Sequence, residues 1–94
     1  MKTSSAAGLQ ALRRAIDELD GRIVRLLAKR LALALRSAPL KRWVRDLKRE
    51  REVLAHVAGC ARGCGMEEEF IRSMYRKVMA ASRGRQRRYR ADTR

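Results

Sequence analysis

Arg30 occupies a position where the repeating apolar pattern of the first half of the chain predicts an aliphatic side chain. A guanidinium on a core-facing position is costly to bury unless an anion meets it. Lys41 follows 11 residues later, close to three helical turns, so both cations point the same way if the helix continues. The two residues therefore suit a small carboxylate ligand, and the competing interpretation is a snorkelling arginine or an internal ion pair.

Arg13 flanks the same apolar row, 17 residues before Arg30. About 26 Å of helix separates the two at 1.5 Å per residue, which is too far for one small ligand to bridge. In an antiparallel pair of chains, however, Arg13 of one copy would approach Arg30 of the other. The spacing is therefore compatible with a site that two copies of the chain share.

Polar residues also interrupt the apolar faces of two later helices. Asp46 and Glu50 are spaced i, i+4 and continue an apolar row of the second predicted helix. Ser82 and Gln86 extend the apolar face of the third helix with the same spacing. Surface ion pairing explains the first pair equally well, and a fraying helix end explains the second. Together with Arg30, these residues predict a buried pocket with cationic and hydrogen-bonding walls, suited to a small polycarboxylate.

The first of the three predicted helices runs from about Gly8 to about Ser37 and determines the expected assembly. Thirty residues of helix are about 45 Å long, and the rest of the chain is too short to cover so long an apolar stripe. A second copy of the same helix would cover it, so we predict an intertwined homodimer. The apolar residues recur three and four positions apart, in a near-heptad seam; they are Leu9, Leu12, Ile16, Leu19, Ile23, Leu26 and Leu33.

Two further helices are predicted after Pro39, which ends or kinks the first because proline lacks the amide donor. The second runs from about Trp43 to His56, before glycines at 59, 63 and 65 that mark a turn. The third begins near Met66 and continues towards Tyr89. No run typical of a β-strand occurs. The predicted fold class is all-α, with one long, one short and one medium helix in each chain of the dimer.

A formal net charge of +14 attracts anions of any kind. Six arginines stand in the last twelve residues, a run that is usually a solvated end. We expect one domain over residues 1–94, with flexible ends at 1–6 and about 88–94. Because no apolar run approaches the roughly 20 residues that span a bilayer, and no secretory signal is visible, the expected location is the cytoplasm.

A metal site is not predicted, although His56, Cys60 and Cys64 are spaced by four residues. Structural zinc sites use four ligands and more closely spaced cysteine pairs. Only three soft ligands are present here, and glycines are expected to interrupt the helix between them. Free thiols of a reducing compartment are the preferred interpretation.

The sequence resembles the all-helical chorismate mutases from about Leu9 to Tyr89. The segment LRRAIDELDGRIVRLLAKR is similar to the first helix of that family, and VRDLKREREVL, the most specific part, to the second. SRGRQ matches the spacing of a serine and a glutamine in the third. The resemblance implies an isomerase of the shikimate pathway to aromatic amino acids, which rearranges chorismate to prephenate without metal or cofactor.

The resemblance also implies a role for each interrupting residue. Arg30 would bind one substrate carboxylate with its planar fork, and Arg13 would hold the other from the partner chain. Lys41 and Gln86 would hydrogen-bond the ether oxygen, where negative charge develops. Asp46 and Glu50 would meet the substrate hydroxyl region, and Arg49 and Ser82 would line the pocket. The expected catalytic residues are Arg30, Lys41, Glu50 and Gln86.

The connection after Lys41 departs from the family pattern. It is several residues shorter than usual before Asp46, and Pro39 falls where the first helix normally continues. Arg42 is therefore an alternative to Lys41 at the ether oxygen.

Three other functions remain open. Isochorismate-pyruvate lyases share the fold and much of the pocket, but the acidic pair Asp46 and Glu50 favours the mutase. The charge also fits a basic helical nucleic-acid-binding module, although the basic residues spread around all three helices and no base-reading motif is visible. The third alternative is a weakly active relative that depends on a partner enzyme.

Overall fold

The computed structural model describes residues 5–93, and these are almost entirely helical. Helix α1 spans Ser5–Arg36, α2 spans Leu47–Gly63 and α3 spans Glu68–Asp92, with a short 3-10 turn at Ala38–Leu40. No strand occurs in this part of the chain. The predicted all-α class with one long, one short and one medium helix is confirmed. The chain divides at Arg30 into two compact units, the first ending at that residue and the second beginning with Leu31.

Helix α1 is 32 residues long and has no buried residue. The seven aliphatic residues of its predicted seam are all between 47% and 64% exposed. A helix normally hides such a stripe against another element, and a contiguous apolar patch on a protein surface marks a place of interaction. Within the described residues, α1 therefore carries an exposed apolar stripe.

Pro39 ends the first helix, as predicted. The Ser37 hydroxyl and amide both donate to the carbonyl of Ala34, at 2.5 and 3.1 Å, and so satisfy one of the last helical acceptors. Leu40 then donates to the Ser37 carbonyl at 2.9 Å and Lys41 to the Ala38 carbonyl at 3.3 Å. This tight turn leads into a non-helical connector that ends at Asp46.

The predicted start of the second helix at Trp43 is wrong. Trp43 lies in the connector, and α2 begins after Asp46, whose carboxylate accepts a hydrogen bond from the Arg49 amide at 3.0 Å. An aspartate at this position satisfies an amide that has no partner within the helix. The capping residue therefore sets the boundary, although the apolar pattern extends further back.

The predicted end of α2 near His56 is also wrong, because the helix continues through Gly59 to Gly63. A glycine inside a helix costs only about 1 kcal/mol relative to alanine, and Ala58 and Ala61 are buried on either side of this one. The chain turns at Gly65, which has φ +70°, a backbone conformation that glycine adopts without strain. Burial beside Gly59 thus outweighs its poor helix propensity.

The core of the second unit lies between α2 and α3. Val53 and Val57 of α2 are buried with Met79 of α3, and three partly buried side chains pack around them: Leu54, Ile71 and Tyr75. So small a core supports limited stability in a chain of this length. No helix of residues 5–93 combines the length and the apolar character needed to cross a membrane.

Helix α3 begins with Glu68 and Glu69 in its first turn, where negative charge suits the helix dipole. Arg62 and Arg72 both pair with Glu68, at 3.0 and 3.3 Å. A hydrogen bond from Arg76, with the charge of that arginine, lowers the pKa of Glu69. The helix continues to Asp92, and the expected flexibility of the last residues stays a prediction.

Candidate active site

Ser82 and Gln86 form a buried polar pair on the α3 face that also carries Met79. Ser82 is 6% exposed and Gln86 is 4% exposed, and the Gln86 Nε2 donates to the Ser82 hydroxyl at 3.2 Å. The Gln86 Oε1 is buried and has no hydrogen-bond partner among the described residues. A fraying helix end does not bury such groups, so that interpretation of the pair is wrong, and the pocket stays a prediction. An unpaired buried amide oxygen is destabilising by about 1–3 kcal/mol, which a bound polar ligand would offset.

Glu50 joins the start of α2 to the same stretch of α3. Its Oε2 accepts a hydrogen bond from the Arg83 Nη1 at 2.5 Å, and both side chains are only 17% exposed. The Arg45 Nε lies 3.5 Å from the other carboxylate oxygen. Arg83 lies three residues before Gln86 on α3, so this ion pair joins the start of α2 to the part of α3 that carries the buried pair.

Arg83 was not predicted as a site residue, because it was grouped with the solvated arginines at the end of the chain. The expectation that this whole run is solvated is wrong, since Arg83 and Arg90 are both partly buried. Helical spacing is the sequence signal that could have identified the burial of Arg83. Arg83 and Arg90 stand four and eleven residues after Met79, so they lie on the face that packs against α2.

Asp46 and Arg49 have local partners at the start of α2. Asp46 is exposed and caps the helix, as described above. The Arg49 side chain is 68% exposed and lies 3.6 Å from the Glu52 carboxylate. The structure therefore links Glu50 to α3 through Arg83, whereas the Arg49 side chain pairs with Glu52 of its own helix.

Substitution of Asp46 separates its capping role from its charge. We expect Asp46→Ala to lower the free energy of unfolding by about 1 kcal/mol, because the Arg49 amide loses its acceptor. Asp46→Asn keeps an oxygen at the same place and is expected to retain stability within a few tenths of a kcal/mol. Urea denaturation followed by circular dichroism measures both. An equal loss of stability in the two variants would contradict the capping role.

Lys41 and Arg42 lie in the connector between the 3-10 turn and α2. The Lys41 Nζ donates to the Val44 carbonyl at 3.1 Å. The Arg42 guanidinium lies 5.2 Å from the centroid of the Trp43 ring, within cation–π range. Both candidates for the ether oxygen thus have a local partner within the connector.

Arg13 and Arg30 both belong to α1. Arg13 is exposed, whereas Arg30 is half-buried. The continuous helix places them 17 residues apart, as the sequence predicts. One chain therefore does not present both guanidinium groups to the same small ligand.

His56 and Cys60 are neighbours on α2, with 3.8 Å between the histidine Nε2 and the cysteine Sγ. Cys60 and Cys64 are both exposed free thiols. Across residues 5–93, no three metal-ligating side chains converge closely enough to hold an ion.

Comparison with known protein families gives a match over most of the chain. No curated protein is significantly similar to the chain. The sequence profile described as chorismate mutase type II matches residues 12–87, a range that includes every predicted site residue and the Glu50–Arg83 pair. Since this profile covers most of the 94 residues, the chain belongs to the chorismate mutase type II family.

Proposed function

We propose that the protein is a chorismate mutase that rearranges chorismate to prephenate. The buried Ser82–Gln86 pair supports this most directly, because it lies in the matched range and carries an amide oxygen without a partner in the described chain. Buried polar groups without partners are rare in proteins. A pocket whose ligand brings a hydrogen-bond donor, such as a hydroxyl, to the Gln86 Oε1 would account for this one.

The proposed chemistry needs preorganised donors and no nucleophile. In this intramolecular rearrangement the ether bond of chorismate breaks while a carbon–carbon bond forms in the same molecule. Negative charge develops on the ether oxygen, where the second N–H of the Gln86 Nε2, the first being donated to Ser82, and either Lys41 or Arg42 would donate hydrogen bonds. Arg30 would bind a carboxylate and hold the compact conformer from which the reaction proceeds. Donors fixed in a dry pocket stabilise such charge more strongly than water does.

The substrate hydroxyl is the proposed partner of Glu50. Arg83 and Arg45 approach one oxygen each of this carboxylate. A carboxylate has about four acceptor positions, so it retains the capacity to accept a hydroxyl. In this proposal Asp46 also meets the substrate hydroxyl region, and Arg49 and Ser82 line the pocket.

The proposed assembly is an intertwined homodimer in which Arg13 completes the partner's site. The exposed aliphatic stripe of α1 supports this assembly, because a second copy of that stripe would cover it. Arg13 and Arg30 are too far apart along α1 to reach one small ligand, which supports a site that takes its Arg13 from the partner chain. Each of the two sites would then contain residues from both chains.

A paired assay on chorismate and isochorismate tests the proposed function. We expect the purified protein to form prephenate from chorismate, and to release pyruvate from isochorismate much more slowly or not at all. Prephenate is followed by its acid-catalysed conversion to phenylpyruvate, and pyruvate by a coupled dehydrogenase. Release of pyruvate without any prephenate would replace the mutase with a lyase, and inactivity towards both substrates would reject the proposal.

A further inference from the structure

The side chain of Arg90 binds main-chain carbonyls between α1 and α2. Its Nη2 donates to the carbonyls of Ala38 and Lys41, at 3.1 and 2.6 Å. Its Nη1 donates to the carbonyl of Arg42 at 3.2 Å. Arg90 is half-buried and Ala38 is completely buried. One side chain of α3 thus binds a carbonyl of the 3-10 turn and two carbonyls of the connector that follows it.

The carbonyls of Lys41 and Arg42 lie outside any helix, whereas the Ala38 carbonyl also accepts the Lys41 amide within the 3-10 turn. Pro39 ends the helical pattern, so acceptors beyond the 3-10 turn lie outside the regular pattern of main-chain hydrogen bonds. A guanidinium offers five N–H groups in a planar fork, and its charge strengthens each hydrogen bond. A lysine at this position has a single compact ammonium group. It cannot donate from two separate nitrogens, as the Arg90 guanidinium does.

We propose that Arg90 is a positioning residue that fixes the connector backbone and thereby the direction of the Lys41 and Arg42 side chains. The inference rests on the proposed mutase function, in which one of these cations donates to the ether oxygen. Arg90 contacts the carbonyls of both residues, so it acts on the substrate through them. It lies three residues beyond the range matched by the family profile.

The first test measures the connector without substrate. Arg90→Met and Arg90→Lys are compared with Arg87→Met, which replaces an exposed arginine of the same helix. We expect the Leu40 and Lys41 amides, which donate within the 3-10 turn, to exchange hydrogen at least about tenfold faster in Arg90→Met than in the control. Arg90→Lys is expected to lie between the two. Unchanged exchange in Arg90→Met would overturn the proposal.

The second test measures the effect on turnover. Arg90→Ala is expected to lower kcat about tenfold with a smaller change in KM, and millimolar guanidinium chloride is expected to restore part of kcat by occupying the vacated space. The control Arg87→Met should gain nothing from guanidinium. A loss of activity that only follows the unfolded fraction, with no rescue, would overturn the positioning role. If the wild type shows no mutase activity, the proposed function fails, while the exchange experiment still decides whether Arg90 holds the connector.

Discussion

Arg30→Ala is expected to lower kcat/KM for chorismate by about a hundredfold to a thousandfold while the helical content stays the same. The guanidinium is proposed to bind a substrate carboxylate, and the loss of one preorganised charged donor from a dry site has effects of about this size. Arg30→Lys should recover only a small part, because an ammonium does not form the paired hydrogen bonds of the planar fork.

Arg14→Ala is the matched control for this change, since Arg14 is exposed and lies off the apolar row of the same helix. Steady-state kinetics and far-ultraviolet circular dichroism are measured for all three variants and the wild type. Unchanged turnover in Arg30→Ala, with normal circular dichroism, would remove the central cation from the proposed site.

A mixture of two inactive variants extends the same prediction to the shared site. If Arg13 serves the partner's site, Arg13→Ala and Arg30→Ala chains together form a heterodimer with one intact site and one doubly damaged site. Random exchange of equal amounts should then restore about one quarter of the wild-type activity. Formation of heterodimers, verified with differently tagged chains, without any recovered activity would show that the two arginines act in the same chain. A monomer in sedimentation velocity would reject the dimer itself.

The architecture followed from signals that act locally along the chain. The aliphatic spacing of α1 and the stop at Pro39 are backbone and periodicity effects, and both are visible without tertiary information. The predicted boundaries of α2 were wrong because, at each end, another effect prevailed over the pattern used for the prediction. The cap at Asp46 prevailed over the apolar pattern near Trp43, and burial on both sides of Gly59 prevailed over its low propensity.

The candidate site was predictable only in part, because charge alone does not show which way a side chain points. Polar residues on an apolar face indicated the pocket, and the burial of Ser82 and Gln86 agrees with that interpretation. The inward direction of Arg83 and Arg90 depends on contacts with Glu50 and with the connector, which are 33 and 48–52 residues away in the sequence. Such long-range partners are not visible in a run of terminal arginines.

Gln86→Leu is expected to separate activity from stability. Leucine fills a similar volume and removes the buried amide oxygen that has no partner in the described chain, so the free energy of unfolding should stay within about 1 kcal/mol of the wild-type value or rise. The same change removes the donor proposed for the ether oxygen. We expect kcat/KM to fall by about a hundredfold to a thousandfold, mainly through kcat, because the lost hydrogen bond forms in the transition state.

Ser82→Ala is expected to do the opposite, since it should lower stability and retain activity. It leaves the Gln86 Nε2 without its acceptor, which should lower the free energy of unfolding by about 1–3 kcal/mol, but it keeps the amide available to the substrate. The two variants are compared by urea denaturation and by initial rates of prephenate formation. A stable, inactive Gln86→Leu beside a less stable but active Ser82→Ala would place the amide in the chemistry. If Gln86→Leu instead keeps its turnover and loses stability, the amide only contributes to packing, and the pocket that binds chorismate lies elsewhere on the chain.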